Sequence, residues 1–303
     1  MDDKINSVGI RCPMIIYQSN LMKNIQSILA KRGIEFVFYD SQKAHKKAEY
    51  FGPLYQHKHA IIYRYFHSTH QNYTAGNNNI LFIDYSVMDD SCLFVDNLGF
   101  GGFSSVVLKN KNTKEIDPSN QIKLHSYLNN KYTLYNGYNK NGPIVVSLYM
   151  DLEAIHACHD MLPGDVEVHF LYPPSLKSKF VDSLNLYLKK HSNWKLLEQN
   201  ANESDIIKNS RALVTNLDRS AFLGLVYGIP TATFGRGLWT GAHCTLDCGR
   251  NPRLLKTILA YEFDVYASDR YMMSVYDKQI MLNSDLSYIE KNDDMQVWFS
   301  KIK

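Results

Sequence analysis

The residues best suited to chemistry in this chain cluster in one stretch, 211–247, which reads RALVTNLDRSAFLGLVYGIPTATFGRGLWTGAHCTLD. Asn216, Asp218, Arg219 and Ser220 form a polar turn ahead of a small apolar helix. Gly235, Arg236, Trp239, Thr240, Gly241 and His243 follow in a glycine-rich loop. The start of a helix favours an anion, because its first N–H groups lack partners and the helix dipole is positive there. Arg219, the Ser220 hydroxyl and those amides are therefore candidate phosphate ligands, and Arg236 and His243 can add positive charge. Asp218 can cap the helix or bind a ribose hydroxyl. Trp239 can stack on a base or sugar, or plug the core of its domain. Gly235 and Gly241 allow close approach of backbone to ligand.

The elements around this stretch must deliver it to a crevice. Residues 211–215 form a short apolar β-run, 221–227 a helix stopped by Gly228, and 229–234 a second strand. That order is one step of a parallel sheet, and ligands of such sheets sit outside the carboxyl ends of the strands. The same alternation runs through both halves of the chain. Before the linker, β-type runs are expected at 14–17, 34–39, 60–65, 80–85 and 92–95, with helices at 21–32 and 41–50. The Asn/Lys/Tyr-rich run 109–142 has little period and closes on Asn141-Gly142-Pro143, an interdomain linker. A new α/β pattern follows, with strands at 144–148, 166–171 and 194–197 and helices at 152–161, 176–190, 204–209 and 251–263. The expected fold class is α/β with three parts: 1–142, 143–263 and a C-terminal segment 264–303.

Composition narrows the class. The 303 residues are 45% hydrophobic and 21% charged, values of a folded globular chain with room for two domains. No apolar run is long enough to span a bilayer, and the N-terminus is polar, so a cytoplasmic protein is expected (host cytoplasm if the chain is viral). The five cysteines are scattered, as free thiols in a reducing compartment would be. Cys244, Cys248 and His243 lack a fourth ligand at zinc spacing, so no metal is expected. GxGxxG, GxxxxGK[ST] and GxSxG are absent, which argues against dinucleotide oxidoreductases, P-loop NTPases and α/β-hydrolases.

The net charge is only +3, but its distribution is uneven. Lys43, Lys46, Lys47, Lys58 and Arg64 lie among Tyr65, other aromatic residues and histidines such as His67, with Glu49 as the one acid from 41 to 83. Positive charge interleaved with aromatic faces suits a phosphate backbone with stacked bases, or a sugar; it also suits a solvated face beside a buried strand.

The stretch 211–247 resembles the capsule-polysaccharide glycosyltransferases of the Kdo-transferase type. Their loop has the form Gly-x-Pro-aromatic-Tyr-x-Gly-x-x-x-Thr-x-Asp. This chain has Gly235-Arg236-Gly237-Leu238-Trp239-Thr240-Gly241, then Thr245 and Asp247. Gly237 stands at the family's proline and Leu238 at its first aromatic. The family's turn serine and glycine are replaced around Asp218-Arg219-Ser220, and its His-Pro pair falls where this chain has residues 169–174, HFLYPP. The resemblance implies a GT-B fold of two Rossmann-like domains facing a cleft. It further implies a nucleotide-sugar held as substrate by the second domain, no separate cofactor, and a C-terminal segment returning to the first domain.

Glycosyl transfer needs positive charge at the departing phosphate and, when inverting, a base for the acceptor hydroxyl. Asp96, before a glycine-rich run and comparable with an acid of the family, is the candidate base; Asp84 is its rival. The basic run makes DNA the expected acceptor, at a hydroxymethylated base as in bacteriophage DNA modification, which in duplex DNA needs base flipping. The alternatives are a capsule or lipopolysaccharide glycan, and a non-catalytic sugar- or nucleotide-binding module.

Overall fold

The structure is a computed structural model. It describes residues 5–42, 54, 56–63, 79–98, 104–109, 116–149, 151–171, 178–197, 202–235, 237–239 and 242–302. In chain order the elements begin with β1 (Ile5–Cys12), α1 (Met14–Tyr17), α2 (Asn20–Lys31), β2 (Glu35–Asp40), β3 (His57–Tyr63), β4 (Asn79–Tyr85) and β5 (Cys92–Asp96). Then come α3 (Ser105–Lys109), α4 (Pro118–Asn129), β6 (Ile144–Ser147), α5 (Leu152–Met161), β7 (Val168–Leu171), α6 (Ser178–Lys190), β8 (Trp194–Leu196) and α7 (Glu203–Lys208). The remainder is β9 (Ala212–Thr215), α8 (Asp218–Tyr227), β10 (Thr231–Thr233), β11 (Leu246–Asp247) and a 3-10 helix (Pro252–Ala260). It ends with α9 (Val265–Tyr276), β12 (Gln279–Met281), α10 (Leu286–Lys291) and α11 (Asp293–Ser300).

The chain divides into two units, Met1–Ser105 with Val275–Lys303, and Val106–Ser274. The run 106–142, read from sequence as ending in a linker, thus groups with the second unit, and α9 carries the chain from the second unit to the first.

Unit 1 holds a six-stranded sheet in the order β12-β5-β4-β3-β1-β2. β1, β2, β3 and β4 run parallel; β5 is antiparallel to both β4 and β12. Residues 14–17, expected as a strand, form a helical turn instead, because the strand before them ends at Cys12 and Pro13 (φ −58°) turns the chain. α2 is capped by the Ser19 hydroxyl, which accepts from Met22 N–H at 3.3 Å, and buries Leu21, Met22, Ile25 and Leu29. The C-terminal segment completes this core: Met295, Trp298 and Phe299 are buried in it, and Trp298 and Asn79 exchange two hydrogen bonds. The expected helix 41–50 falls outside the described residues, apart from its first two.

Two histidines are sealed inside unit 1. His57 bridges the Ser7 and Tyr39 hydroxyls at 2.7 Å each, in space left by Gly9, where a Cβ would come within 2.8 Å of the imidazole. His59 is buried beside Asn79. Burial lowers the pKa of both from the ordinary 6.5; for His59 the neighbouring Lys58 charge adds to the effect. A group with a lowered folded pKa takes up its proton in the unfolded chain first, so stability is full above about pH 6.5 and falls with pH until the folded pKa is reached. The melting temperature is expected to drop between about pH 7 and pH 5.5, and less so in His57→Gln and His59→Gln variants. A melting temperature flat over that interval would contradict the two histidines being held neutral.

Unit 2 holds six parallel strands in the order β11-β10-β9-β6-β7-β8. Strand β6 lies between β7, the next strand in sequence, and β9, reached by crossing back through α7. The strand order therefore reverses between β6 and β9. The core is the apolar interior of these strands, with Ala154, Ile155 and Cys158 of α5, Leu184 of α6, and Leu255 and Ile258. Asp151 caps α5: its Oδ1 accepts from Ala154 N–H at 2.9 Å. The expected helix 251–263 is a nine-residue 3-10 helix begun by Asn251 and Pro252. Asp269 on α9, fully buried, accepts from Gln121 Nε2 at 2.6 Å, His125 Nε2 at 3.0 Å and the Tyr135 hydroxyl, so three donors from α4 and the loop after it fix that helix.

Candidate functional site

The reversal point of the second sheet is where the chemistry-bearing stretch lies. Ser147 ends β6, Thr215 ends β9, and the two are register partners. The side chain of Asn216 joins the loops that leave them: its Oδ1 accepts from Tyr149 N–H at 2.7 Å, and its Nδ2 donates to Tyr149 O at 3.0 Å. Thr215 Oγ1 accepts from Leu217 N–H at 3.0 Å, which sets the turn into α8.

Helix α8 begins without a side-chain cap. Its preceding residue is Leu217, whose side chain can accept nothing. Ser19, Asp117, Asp151, Asn202, Asn251, Asp285 and Asn292 cap their helices with a side-chain oxygen. Forgoing a cap costs about 1 kcal/mol. It also leaves first-turn N–H groups of α8 to other partners, at the carboxyl edge of the sheet.

The polar residues of this turn divide by direction. Asp218, expected at the cap, is already the first helical residue, and its Oδ1 holds Leu238 N–H at 2.8 Å. It therefore tethers the glycine-rich loop to the helix. Ser220 is fully buried; its hydroxyl bonds the Glu203 carboxylate and lies 3.1 Å from the Ser147 hydroxyl. Ser147 Oγ also donates to Glu203 Oε1 at 3.2 Å. The Ser220 hydroxyl thus points inward, to a carboxylate. Arg219 stands half-buried on the same turn.

The glycine-rich loop joins β10 to β11. Gly235 (φ +76°) takes the left-handed conformation that opens it. Gly237 lies against the Trp239 indole, where an added Cβ would be 2.4–2.5 Å from three ring carbons. Trp239 is 2% exposed, so it fills the interior and does not offer a stacking face. Among the described residues its Nε1 meets no hydrogen-bond partner, and neither does the hydroxyl of Tyr271, 1% exposed on α9. Asp218 lies close enough to Tyr271 to add, with Cys244, to the burial that raises its pKa. His243 is exposed, with a left-handed backbone (φ +58°). Of the Thr-x-Asp ending, Thr245 Oγ1 is 3.2 Å from Thr233 Oγ1, and Asp247 pairs with Thr233 across β10–β11. Arg236, Thr240 and Gly241 lie outside the described residues. Burial pushes the Cys244 and Cys248 thiols up to about 12. Among the described residues no three His, Cys, Asp or Glu side chains could hold a metal.

The candidate residues of unit 1 are placed differently. Asp96 is fully buried: Oδ1 accepts from Leu98 N–H at 2.7 Å, and Oδ2 from Ser105 N–H at 2.8 Å and its hydroxyl at 2.7 Å. Lys278 Nζ is 3.8 Å away and is itself paired with Asp294. Burial raises the Asp96 pKa despite these partners. The carboxyl thus fastens the two ends of the glycine-rich run 97–105. Asp84 is half-buried on β4 and accepts from Tyr85 N–H at 2.7 Å. Lys58 is exposed on β3; Lys43, Lys46, Lys47, Arg64, Tyr65 and His67 lie outside the described residues.

Glu203 and Ser147 escape a reading of sequence. Glu203 looks like an ordinary first-turn acid after the Asn202 cap, and Ser147 like the polar end of a buried strand. The pairing of β6 with β9 brings Ser147 to Ser220, and the crossover of α7 from β8 to β9 brings Glu203.

No protein-family model matches the chain, and no curated protein matches it. Among solved structures, the beta Kdo 2,7 transferase of Thermosulfurimonas dismutans KpsC superposes with a TM-score of 0.56 at 13% identity, covering 98% of each chain. The beta Kdo 2,4 transferase of the same KpsC gives 0.51 at 13% identity, covering 89% of each chain. At that identity the likeness establishes architecture, and the architecture is α/β and GT-B-like, built of two Rossmann-like units.

Proposed function

We propose that this chain is a glycosyltransferase that moves a sugar from a nucleotide-linked donor to a hydroxyl of a surface glycan of the capsule or lipopolysaccharide kind. The observation that carries the reading is the uncapped first turn of α8 at the reversal point of the second sheet. The similar structures named as Kdo transferases support sugar transfer and favour a glycan acceptor. A DNA acceptor has no support in the comparisons, and most of the basic run that suggested it lies outside the described residues.

In this reading the first-turn N–H groups of α8 and the Arg219 guanidinium meet the donor phosphate and stabilise the charge that grows on it as the glycosidic bond breaks. Arg236 and His243 contribute from the loop. The loop is held in place by Asp218 on Leu238 N–H and by the Thr233–Thr245 contact. For the proton of the acceptor hydroxyl, Asp84 is the better candidate, since Asp96 is sealed and spends both oxygens on its own loop.

Radiolabelled CMP-, UDP- and GDP-sugars incubated with the protein and either a capsule-type oligosaccharide or hydroxymethylated DNA test this. Label is expected on the oligosaccharide. Label on DNA alone would overturn the acceptor, and no transfer or donor hydrolysis with any sugar nucleotide would overturn the activity.

A further inference from the structure

The second unit holds a cluster of imidazoles that the transferase reading does not use. His156 and His159 lie one turn apart on α5, and His191 follows α6. His159 Nδ1 and His191 Nε2 face each other at 2.7 Å. Helix α5 leads into β7, and His191 precedes β8, so the pair stands where these strands begin, at the amino edge of the sheet. The turn into α8 stands at the opposite, carboxyl edge, so this cluster is separate from the proposed donor site.

Each imidazole of the pair is held from behind by a buried aromatic ring. His159 lies on Tyr187, with ring centroids 4.3 Å apart, and His191 stacks on Trp194 at 4.2 Å and 15°. The Tyr187 hydroxyl is itself bonded to His156 Nδ1. His191 O accepts from Trp194 N–H at 3.1 Å, which closes the turn before β8. Both histidines are half-buried, so solvent still reaches them. A neutral imidazole has one N–H and one lone pair. At 2.7 Å, therefore, one ring donates and the other accepts. If His159 carries its proton on Nε2 and His191 on Nδ1, two lone pairs converge on one point instead. A cation with bonds of about 2.0–2.1 Å in tetrahedral geometry sets its nitrogens about 3.3–3.4 Å apart. Small side-chain rotations of two half-buried rings supply that opening.

We infer that His159 and His191 form a binding site for a late first-row divalent cation, Zn2+ or Cu2+, which clamps the end of α5 to the turn before β8. Imidazole nitrogen selects these ions over Mg2+ and Ca2+, which take oxygen ligands. Among the described residues no group of three His, Cys, Asp or Glu could hold a metal, so water fills the remaining positions. Lys190, whose ammonium lies 5.4 Å from the Tyr187 ring centroid, opposes a cation here and keeps the affinity below that of a closed four-ligand site. The ion's role is structural: it stands at the edge of the sheet away from the proposed chemistry, and it binds the folded arrangement of two separate segments, so it stabilises the second unit.

Two readouts on the whole chain test this, in wild type, His159→Gln and His191→Gln. Cu2+ at one equivalent is expected to quench Trp194, one of three tryptophans, because its ligand His191 stacks on that indole. Zn2+ at about a hundred times its Kd is expected to raise the melting temperature by roughly 5–10 °C, and Mg2+ to do neither. Each variant is expected to lose both responses. His159→Gln is the more informative, since it leaves His191 on Trp194. Should a variant fail to fold, the copper complex of wild type decides: its electron paramagnetic resonance spectrum is expected to show coupling to two imidazole nitrogens, and coupling to none or one overturns the site. Quenching and a melting shift as large in His159→Gln as in wild type would place the metal elsewhere and overturn the inference. Absence of both responses in wild type would overturn it too.

Discussion

Asp96→Ala is expected to lower the stability of unit 1 by roughly 3 kcal/mol, because two buried donors of Ser105 lose their acceptor and each such loss costs about 1–3 kcal/mol. Leu98 N–H also loses its partner, but Leu98 is 40% exposed and water can replace it. Two effects oppose each other beyond that. Lys278 loses a carboxylate at 3.8 Å, which destabilises, whereas removal of a carboxyl whose pKa burial has raised recovers some desolvation. The hydrogen bonds dominate, since they also close the run 97–105 onto α3. Urea unfolding of wild type and variant measures the difference. A general base behaves in the opposite way: its removal spares stability and abolishes turnover. A variant within about 1 kcal/mol of wild type, but inactive, would restore Asp96 to the chemistry.

Gly237→Ala is the second large effect. The new methyl would stand 2.4–2.5 Å from Cη2, Cζ2 and Cζ3 of Trp239, and that indole is buried. Either the loop backbone or the indole must move, at a cost of about 1–3 kcal/mol for overpacking. Since Leu238 N–H is what Asp218 holds, movement there also releases the loop from α8. The variant is expected to melt several degrees lower and to show a red-shifted Trp239 emission, isolated by comparison with the same change in a Trp194→Phe, Trp298→Phe background. Unchanged emission and melting would mean that the indole is not packed on Gly237.

These two residues illustrate what sequence can and cannot disclose. The αβ step 211–234 is legible because every local signal agrees: an apolar β-run, a polar turn, a helix stopped at Gly228 in the left-handed conformation (φ +73°), and a second strand. β1 is hidden by its composition. Asn6, Ser7, Gly9 and Arg11 alternate with the core residues Val8, Ile10 and Cys12, and Ser7 and Arg11 are buried all the same, so the run at 14–17 looks the better strand. α4 is missed for a related reason: it buries only Leu124 and Leu128, and its clearest mark is the Asp117-Pro118 start. β12 is three residues long and exists because β5 offers it an edge.

The candidate site shows the same division. Asn216, Asp218 and Arg219 can be found from the turn they occupy, but the direction of a side chain is decided by packing. Ser220 points inward, against the simplest expectation for a polar turn, and Trp239 takes the second of its two expected places, in the core of its domain. Glu203 lies seventeen residues from Ser220, on a helix that returns from the far edge of the sheet, and no local pattern connects the two.

A crystal structure of the protein soaked with CMP- and UDP-linked sugars tests the central claim most directly. A donor phosphate oxygen is expected within about 3.2 Å of a backbone N–H of Arg219 or Ser220, with the Arg219 guanidinium turned towards it. A bound nucleotide whose phosphate lies away from α8, with Glu203 and the first turn of the helix as they are in the free protein, would contradict it.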